Sequence, residues 1–367
     1  MVRFLVALVA LAGIAFTSTL QSADWPVFRG NPLQNGVCEA KLPEKLEVVW
    51  TLKTKDSIEG APAIVNGIVY VGSYDQYLYA VKLTTGEVKW KQKLAPIKAA
   101  PSVKDDKVYV GDVDGKFYCL NASDGKTLWT FESGGEITAG ANFVGEKILF
   151  GSHDSTLYCL DKEGKKLWEF RTEGPVNGSP AVIGEKTFVA GCDSNLHIID
   201  TKTGTELASI DLGGQAGATG AIFDDKLYVG TMTNQVLAID LKKEKIEWKY
   251  EAVKRAMPFY ASAAVTNEYV VVGGRDKRVH VLDRKSGEIK WEFLTESKVD
   301  SSPVVVGNRV IVGSMDSNLY ILDLKKRTEL QRIELDSPVI GSPAVSGEYV
   351  LVGTEKGTLY CLGKKSE

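Results

Sequence analysis

The sequence predicts an all-β fold, an eight-bladed β-propeller of four-stranded antiparallel blades closed by pairing of the N-terminal strand with the last blade. Three observations predict it: a Gly-terminated strand returns about every 40 residues, four short apolar segments fill each interval, and the last repeat lacks one strand that the N-terminal region can supply.

The Gly-terminated strand occurs at Gly72 (IVYVG), Gly111 (KVYVG), Gly151 (KILFG), Gly191 (TFVAG), Gly230 (KLYVG), Gly273 (YVVVG), Gly313 (RVIVG) and Gly353 (YVLVG), at intervals of 39, 40, 40, 39, 43, 40 and 40 residues. Short alternating segments bounded by Gly, Asp, Asn and Lys read as antiparallel strands. The third repeat sets the plan, with strands predicted near 140–144, 147–151, 156–161 and 165–170. The hairpin between its second and third strands carries Asp at a fixed offset in most copies, at Asp75, Asp114, Asp154, Asp276 and Asp316. A short carboxylate there bonds nearby backbone N–H groups, so its role is structural. The next turn ends in Gly at Gly86, Gly125, Gly164, Gly204 and Gly287, which suits a backbone with positive φ. Four residues later stand Trp90, Trp129, Trp168 and Trp291, with Trp248 in the same slot of the fifth repeat. Five indoles at one register predict a docking element between neighbouring blades.

Counting strands predicts the closure. The last repeat ends in Leu359–Leu362, and 47–52 (EVVWTL) places Trp50 in the register of the other tryptophans. Joining the two completes an eighth blade and removes two exposed sheet edges. The chain therefore divides into a leader at 1–23, an N-terminal strap at 24–45 and the propeller at 46–367.

The leader has Arg3, an apolar run from Phe4 to Phe16 and small or polar residues to Ala23, the layout of a secretory signal peptide and too short to span a bilayer. A periplasmic or secreted location follows, with no transmembrane segment after cleavage. Across 367 residues, 44% are apolar and 25% charged, which suits a globular core. A net charge of -3 excludes an electrostatic case for nucleic acid binding. The five cysteines include no C-x-x-C or adjacent pair, and three histidines give no zinc spacing. Cys119, Cys159 and Cys361 share one register with Ala80 and Ile198, a buried packing position.

The composite unit S-P-x-V, x-V-Y-V-G-S-x-D-x-x-L-Y-x-L-D-x-x-x-G-x-x-x-W resembles the pyrroloquinoline quinone (PQQ) repeat over residues 46 to 363. That repeat is shared by quinoprotein alcohol dehydrogenases and by the non-enzymatic propeller subunit of the outer-membrane β-barrel assembly machinery. It therefore specifies fold far better than function. Asp24-Trp25-Pro26-Val27-Phe28-Arg29-Gly30 also resembles the opening segment W-P-x-F-R-G of short exported propellers of this type, read as a strap packing Trp25 and Phe28 on the propeller. The dehydrogenase resemblance implies PQQ, a calcium ion with a catalytic Asp, and an adjacent Cys pair. This chain lacks the pair and the long insertions. Asp112-Val113-Asp114-Gly115 looks like the opening of a calcium loop but falls on the standard hairpin without the later acidic ligand.

A ring of equal blades has no preferred spot, so function is sought where the repeat breaks. The 43-residue interval inserts 252–260, bringing Lys254, Arg255, Met257, Phe259 and Tyr260 to a channel mouth, with Arg275, Lys277 and Arg278 adding charge nearby. These residues are the candidate site for a small anion or a partner's acidic segment. Ala208 and Gln331 occupy Trp slots and are read as looser junctions or covered faces. The small residues at Gly60-Ala61-Pro62, Gly178-Ser179-Pro180 and their equivalents line the channel. The expected function is a non-catalytic, cofactor-free exported scaffold that binds envelope proteins through propeller-face loops and the channel. The alternatives are a PQQ- and calcium-dependent redox protein and a small-molecule or glycan binder at the axial funnel.

Overall fold

The computed structural model describes residues 24–253 and 255–365, so the leader at 1–23 and Lys254 lie outside the described residues. Every regular element described is a β-strand. Seven four-stranded blades follow one another at 63–93, 102–132, 142–171, 181–211, 221–251, 264–294 and 304–334. The eighth joins Ala344–Ser346, Tyr349–Gly353 and Thr358–Gly363 to Glu47–Lys53, in antiparallel register from Glu47 opposite Gly363 to Lys53 opposite Thr358. The predicted closure is therefore present.

Within a blade the burial follows composition. Strands such as Ile68–Gly72 are almost wholly buried, whereas the outermost strand Val88–Lys93 (VKWKQK) is largely exposed. The core lies between blades, and the strand-ending glycines explain how closely they stack. A Cβ on Gly72 would enter the van der Waals envelope of Ile97 from the next blade, and Gly111 meets Ile137 in the same way. The tryptophans dock as predicted except Trp291, whose indole N–H has no acceptor among the described residues. Trp90 donates its indole N–H to the carbonyl of Ala122 in the next blade at 2.9 Å, and its ring covers Gly125, whose φ is 73°. Trp50, Trp129, Trp168 and Trp248 repeat the bond at 2.7 to 3.1 Å.

Gln331 departs from the expectation of a looser junction. Its amide accepts the Leu46 N–H at 3.0 Å and donates to the Leu46 carbonyl at 2.7 Å, clamping the chain that leads into the closing strand. Blade eight has no turn for a Trp to cover, and the buried Leu46 fills that place.

The hairpin carboxylates tie each blade to the loop that enters it. Asp154 accepts the Tyr158 hydroxyl at 2.7 Å and the Gly134 N–H at 2.7 Å. In the second blade Asp112, rather than Asp114, takes the tyrosine hydroxyl, from Tyr118 at 2.8 Å, together with the N–H groups of Asp114 and Lys116. Asp316 binds Tyr320, Asn318 and the Glu296 N–H. Burial pushes the Asp316 carboxyl pKa up, but the hydrogen bonds outweigh it and hold the group below its ordinary value; Asp276, facing His280 and Arg278, shifts the same way for matching reasons. A carboxylate with a depressed folded pKa contributes stability above its unfolded pKa of about 3.9 and loses it as pH falls through the folded value. The melting temperature is therefore expected to drop on acidification below about pH 4. Asp316→Asn should flatten that part of the profile, and an unaltered slope in the variant would remove Asp316 from the account.

The N-terminal segment closes one end of the ring. The carbonyls of Trp25, Pro26, Pro32, Leu33, Asn35 and Gly36 accept the N–H groups of Ile64, Val103, Val182, Ile222, Val265 and Val305, one each from the innermost strands of blades one, two, four, five, six and seven. In blade three Asn142 reaches the Pro32 carbonyl with its side chain at 2.9 Å. Val37–Cys38 then adds a parallel strand to Val304–Val306. The inner edge of a blade has unpaired N–H groups facing the axis, and the strap satisfies them in blade order.

Candidate functional site

The opposite face carries the loops that lead from each outermost strand into the next blade. Each loop starts with an apolar anchor such as Ile58, Ile97, Val176 or Val339, which packs on the preceding blade's strand-ending glycine. The residue after the anchor stands at the axial mouth. Around the ring this register reads Glu59, Lys98, Thr138, Asn177, Gly217, Tyr260, Asp300 and Ile340, a different residue in every blade. Two residues deeper the chain places Ala61, Ala100, Gly140, Ser179, Thr219, Ser262, Ser302 and Ser342. These two tiers enclose a cavity of about 200 Å³ whose floor is Phe28 of the strap.

Beneath that floor Arg29 is buried, with 1% of its surface exposed. Its guanidinium donates to the carbonyls of Ala263, Ser302 and Pro303 in blades six and seven, and among the described residues no carboxylate pairs with it. Burial pulls its pKa down to about 9, so it remains a cation at neutral pH. Lys98 and Glu59 face each other at the rim, 3.8 Å apart.

The inserted loop borders this mouth. Asn234 holds both its ends, donating to the Ala252 carbonyl at 3.0 Å and accepting the Met257 N–H at 3.2 Å. Between them Val253 is 93% exposed, and Arg255 is exposed as well. Met257 is half-buried, whereas Phe259 is buried, because it occupies the apolar-anchor register and packs on Gly230. Tyr260 and Arg275 do come together, the guanidinium lying 4.0 Å from the ring centroid. Arg275 also forms a two-pronged pair with Asp300 at 2.9 and 2.8 Å, which holds its pKa above the ordinary value. Arg278 faces Asp276 and Glu292. Carboxylates thus balance Arg275 and Arg278, and Arg255 is the exposed cation among the described candidates.

This geometry can be compared with known proteins. A family model described as outer membrane protein assembly factor BamB matches residues 43–144, 118–207 and 193–337. The chain belongs to this PQQ-repeat family. No curated protein matches it in sequence. The crystal structure of BamB from Moraxella catarrhalis superposes with a TM-score of 0.76 at 19% identity, covering 88% of this chain and 99% of that one. The quinohemoprotein alcohol dehydrogenase from Comamonas testosteroni gives 0.78 at 14% identity, over 94% and 82% of the two chains. A europium-containing methanol dehydrogenase gives 0.76 at 14% identity, over 93% and 98%. At such identities the family's shared fold is what the superpositions show.

The quinone and calcium that the repeat resemblance implies fit the residues here poorly. Among the described residues no three His, Cys, Asp or Glu side chains cluster as metal ligands. Asp112, the first carboxylate of the calcium-like string, is engaged by its own hairpin. The five cysteines are free, and Cys119, Cys159 and Cys361 are buried packing residues.

The break in the repeat marked the 252–260 loop, and the small residues expected to line the channel form the deeper tier, but the rim tier around the axis was missed. The rim's signal was available, since the residue after the apolar anchor changes type in every repeat while the residue that follows it is always Gly, Ala or Ser. Arg29 was also missed as a channel residue, because a single unrepeated cation in a strap carries no periodicity to mark it.

Proposed function

We propose that this chain is a non-catalytic scaffold of the cell envelope that binds a protein partner across its mouth face. The single observation that carries the reading is the 252–260 loop, which displays Val253 and Arg255 to solvent while Asn234 pins both its ends. A pinned loop loses little entropy on binding, and an exposed aliphatic group beside a cation suits an apolar segment flanked by acidic residues. The BamB family membership and the strap's occupation of the opposite face support the same reading.

A photo-crosslinking residue placed at Val253 should yield one discrete adduct in intact envelopes, lost on Arg255→Glu. The same residue at Glu185, exposed in a strap-face hairpin, should yield none. Equal adducts from both positions, or none from Val253, would reject the proposal.

A further inference from the structure

The axial cavity presents opposite hydrogen-bonding characters at its two tiers. Deep in the cavity, Ser179, Thr219, Ser262, Ser302 and Ser342 form an arc through blades four to eight, each at least nine-tenths buried. The hydroxyl oxygens accept the N–H groups of Gly140, Ser179, Thr219, Ser262 and Ser302 in turn, at 2.8 to 3.1 Å. Each oxygen is thus positioned by the preceding blade, and its remaining capacity includes the O–H proton. Among the described residues none of the five protons has a protein acceptor. Five donors therefore open on one cavity; Arg29 does not line it and spends its guanidinium on backbone carbonyls, that of Ser302 among them. A wall of hydroxyl donors favours an oxyanion.

The rim has the reverse character. The Asn177 side-chain oxygen is buried and without a hydrogen-bond donor, while its nitrogen bonds the Cys192 sulfur at 3.0 Å. Glu59 also faces the cavity, in an ion pair with Lys98, which lines the same rim; at 3.8 Å the pair is too long for a hydrogen bond and leaves the carboxylate able to accept from a second cation. These two acceptors suit a cation. The remaining wall, Ala61 and Ala100 above the Phe28 ring, is apolar. The volume of about 200 Å³ holds a molecule of roughly six or seven heavy atoms at the ~30 Å³ that one water occupies in the liquid.

We infer that the axial cavity is a binding site for a small zwitterion of the α-amino acid class, its carboxylate on the five-hydroxyl arc, its ammonium at Glu59 and Asn177, and a short aliphatic side chain against Ala61, Ala100 and Phe28. The site is independent of the mouth-face partner. Loss of the Val253 crosslink leaves it standing, and its own failure leaves the scaffold standing.

Calorimetric titration of the mature chain tests the inference with L-alanine as probe, against propionate, which lacks the ammonium, ethylamine, which lacks the carboxylate, and glucose, which has neither. L-alanine should bind saturably, one per chain, and raise the melting temperature. Propionate and ethylamine should each bind at least about tenfold more weakly, the loss of one charge-assisted hydrogen-bonding group. Glu59→Gln should bring L-alanine down to the level of propionate and leave propionate unchanged. Ala100→Leu fills the cavity without removing a hydrogen bond and should abolish all binding, with its melting temperature confirming that it folds. Propionate or glucose binding as tightly as L-alanine, no saturation by about 10 mM, a dissociation constant that already corresponds to marginal affinity, or undiminished binding by Ala100→Leu would overturn the assignment.

Discussion

Replacing Arg29 with alanine is expected to lower the stability of the propeller by about 3–5 kcal/mol, the range for breaking a buried polar network. The guanidinium bonds carbonyls of Ala263, Ser302 and Pro303, and so joins the strap to two blades at the axis. Alanine leaves three acceptors facing a void, each costing roughly 1–3 kcal/mol when buried without a donor. The lost desolvation penalty of the cation itself offsets part of that sum, which is why the estimate stays below it. Lysine should recover only a fraction, because one ammonium cannot span carbonyls on two blades as a planar fork does. A second measurement isolates the contact. A Cβ on Gly36 would strike the Arg29 guanidinium, so Gly36→Ala should cost distinctly less in the Arg29→Ala background than in the native chain. The φ of 65° at Gly36 imposes a penalty common to both backgrounds and cancels from that difference. Chemical denaturation midpoints supply all four values. A loss under about 0.5 kcal/mol for Arg29→Ala, the scale of an ordinary surface change, would show that the strap rests on the ring without holding it.

The fold was legible because its determinants repeat. Trp, turn Gly and hairpin Asp recur at one spacing, and in most blades each acts through the same contact. Asp112 shows the limit of such reading, since carboxylates two residues apart in one hairpin offer the same sequence signal and only geometry selects the one that meets Tyr118. The strap was legible as a packing segment through Trp25, which is buried. Its main contribution was not, because six backbone carbonyls bond the inner strands, and carbonyls leave no trace in residue type. Phe259 illustrates a different ambiguity. An aromatic in an irregular loop reads as a ligand contact until the register places it over Gly230, where the other blades use aliphatic anchors. Gln331 likewise reads as a missing Trp, although the junction it serves contains the chain end and needs a clamp for Leu46. Charge was the least legible property of the candidate site. Arg275 and Arg278 count as surplus cations in sequence, yet Asp300 reaches Arg275 from the next loop and Asp276 turns back on Arg278 within its own hairpin.

Replacing Trp50, which is half-buried, with alanine is expected to cost about 2–3 kcal/mol, below the ~3–5 kcal/mol of a fully buried aromatic, and to open the ring at one place. Trp50 lies in the closing strand, covers Gly86 of blade one and donates to the Leu83 carbonyl at 2.7 Å. It therefore joins the last blade to the first while its own backbone pairs with Thr358–Gly363. Trp168 makes the equivalent contact between blades three and four, over Gly204 and to the Thr201 carbonyl at 3.1 Å. The chemistry of the two is the same, so their equilibrium costs should be similar. Their kinetic consequences should differ, because the strand carrying Trp168 is joined by a tight turn to Thr156–Leu160, its partner in the blade, whereas 47–53 is held on Thr358–Gly363 by noncovalent contacts alone. Opening at Trp168 leaves both sides tethered and favours rapid reclosure. Opening at Trp50 exposes 47–53 as a detachable strand, with Lys53 as a tryptic site. Trypsin should therefore cleave after Lys53 much faster in Trp50→Ala than in Trp168→Ala at matched stability, as read by intact-mass kinetics. Trp291 gives the calibration for the indole N–H, which is buried there without an acceptor among the described residues. Trp291→Phe should cost less than Trp50→Phe by about 1 kcal/mol, the net worth of one hydrogen bond. Equal cleavage rates in the two alanine variants would mean that the closing strand is no easier to detach than any continuous junction, and that the strap and Gln331 alone hold the ring shut.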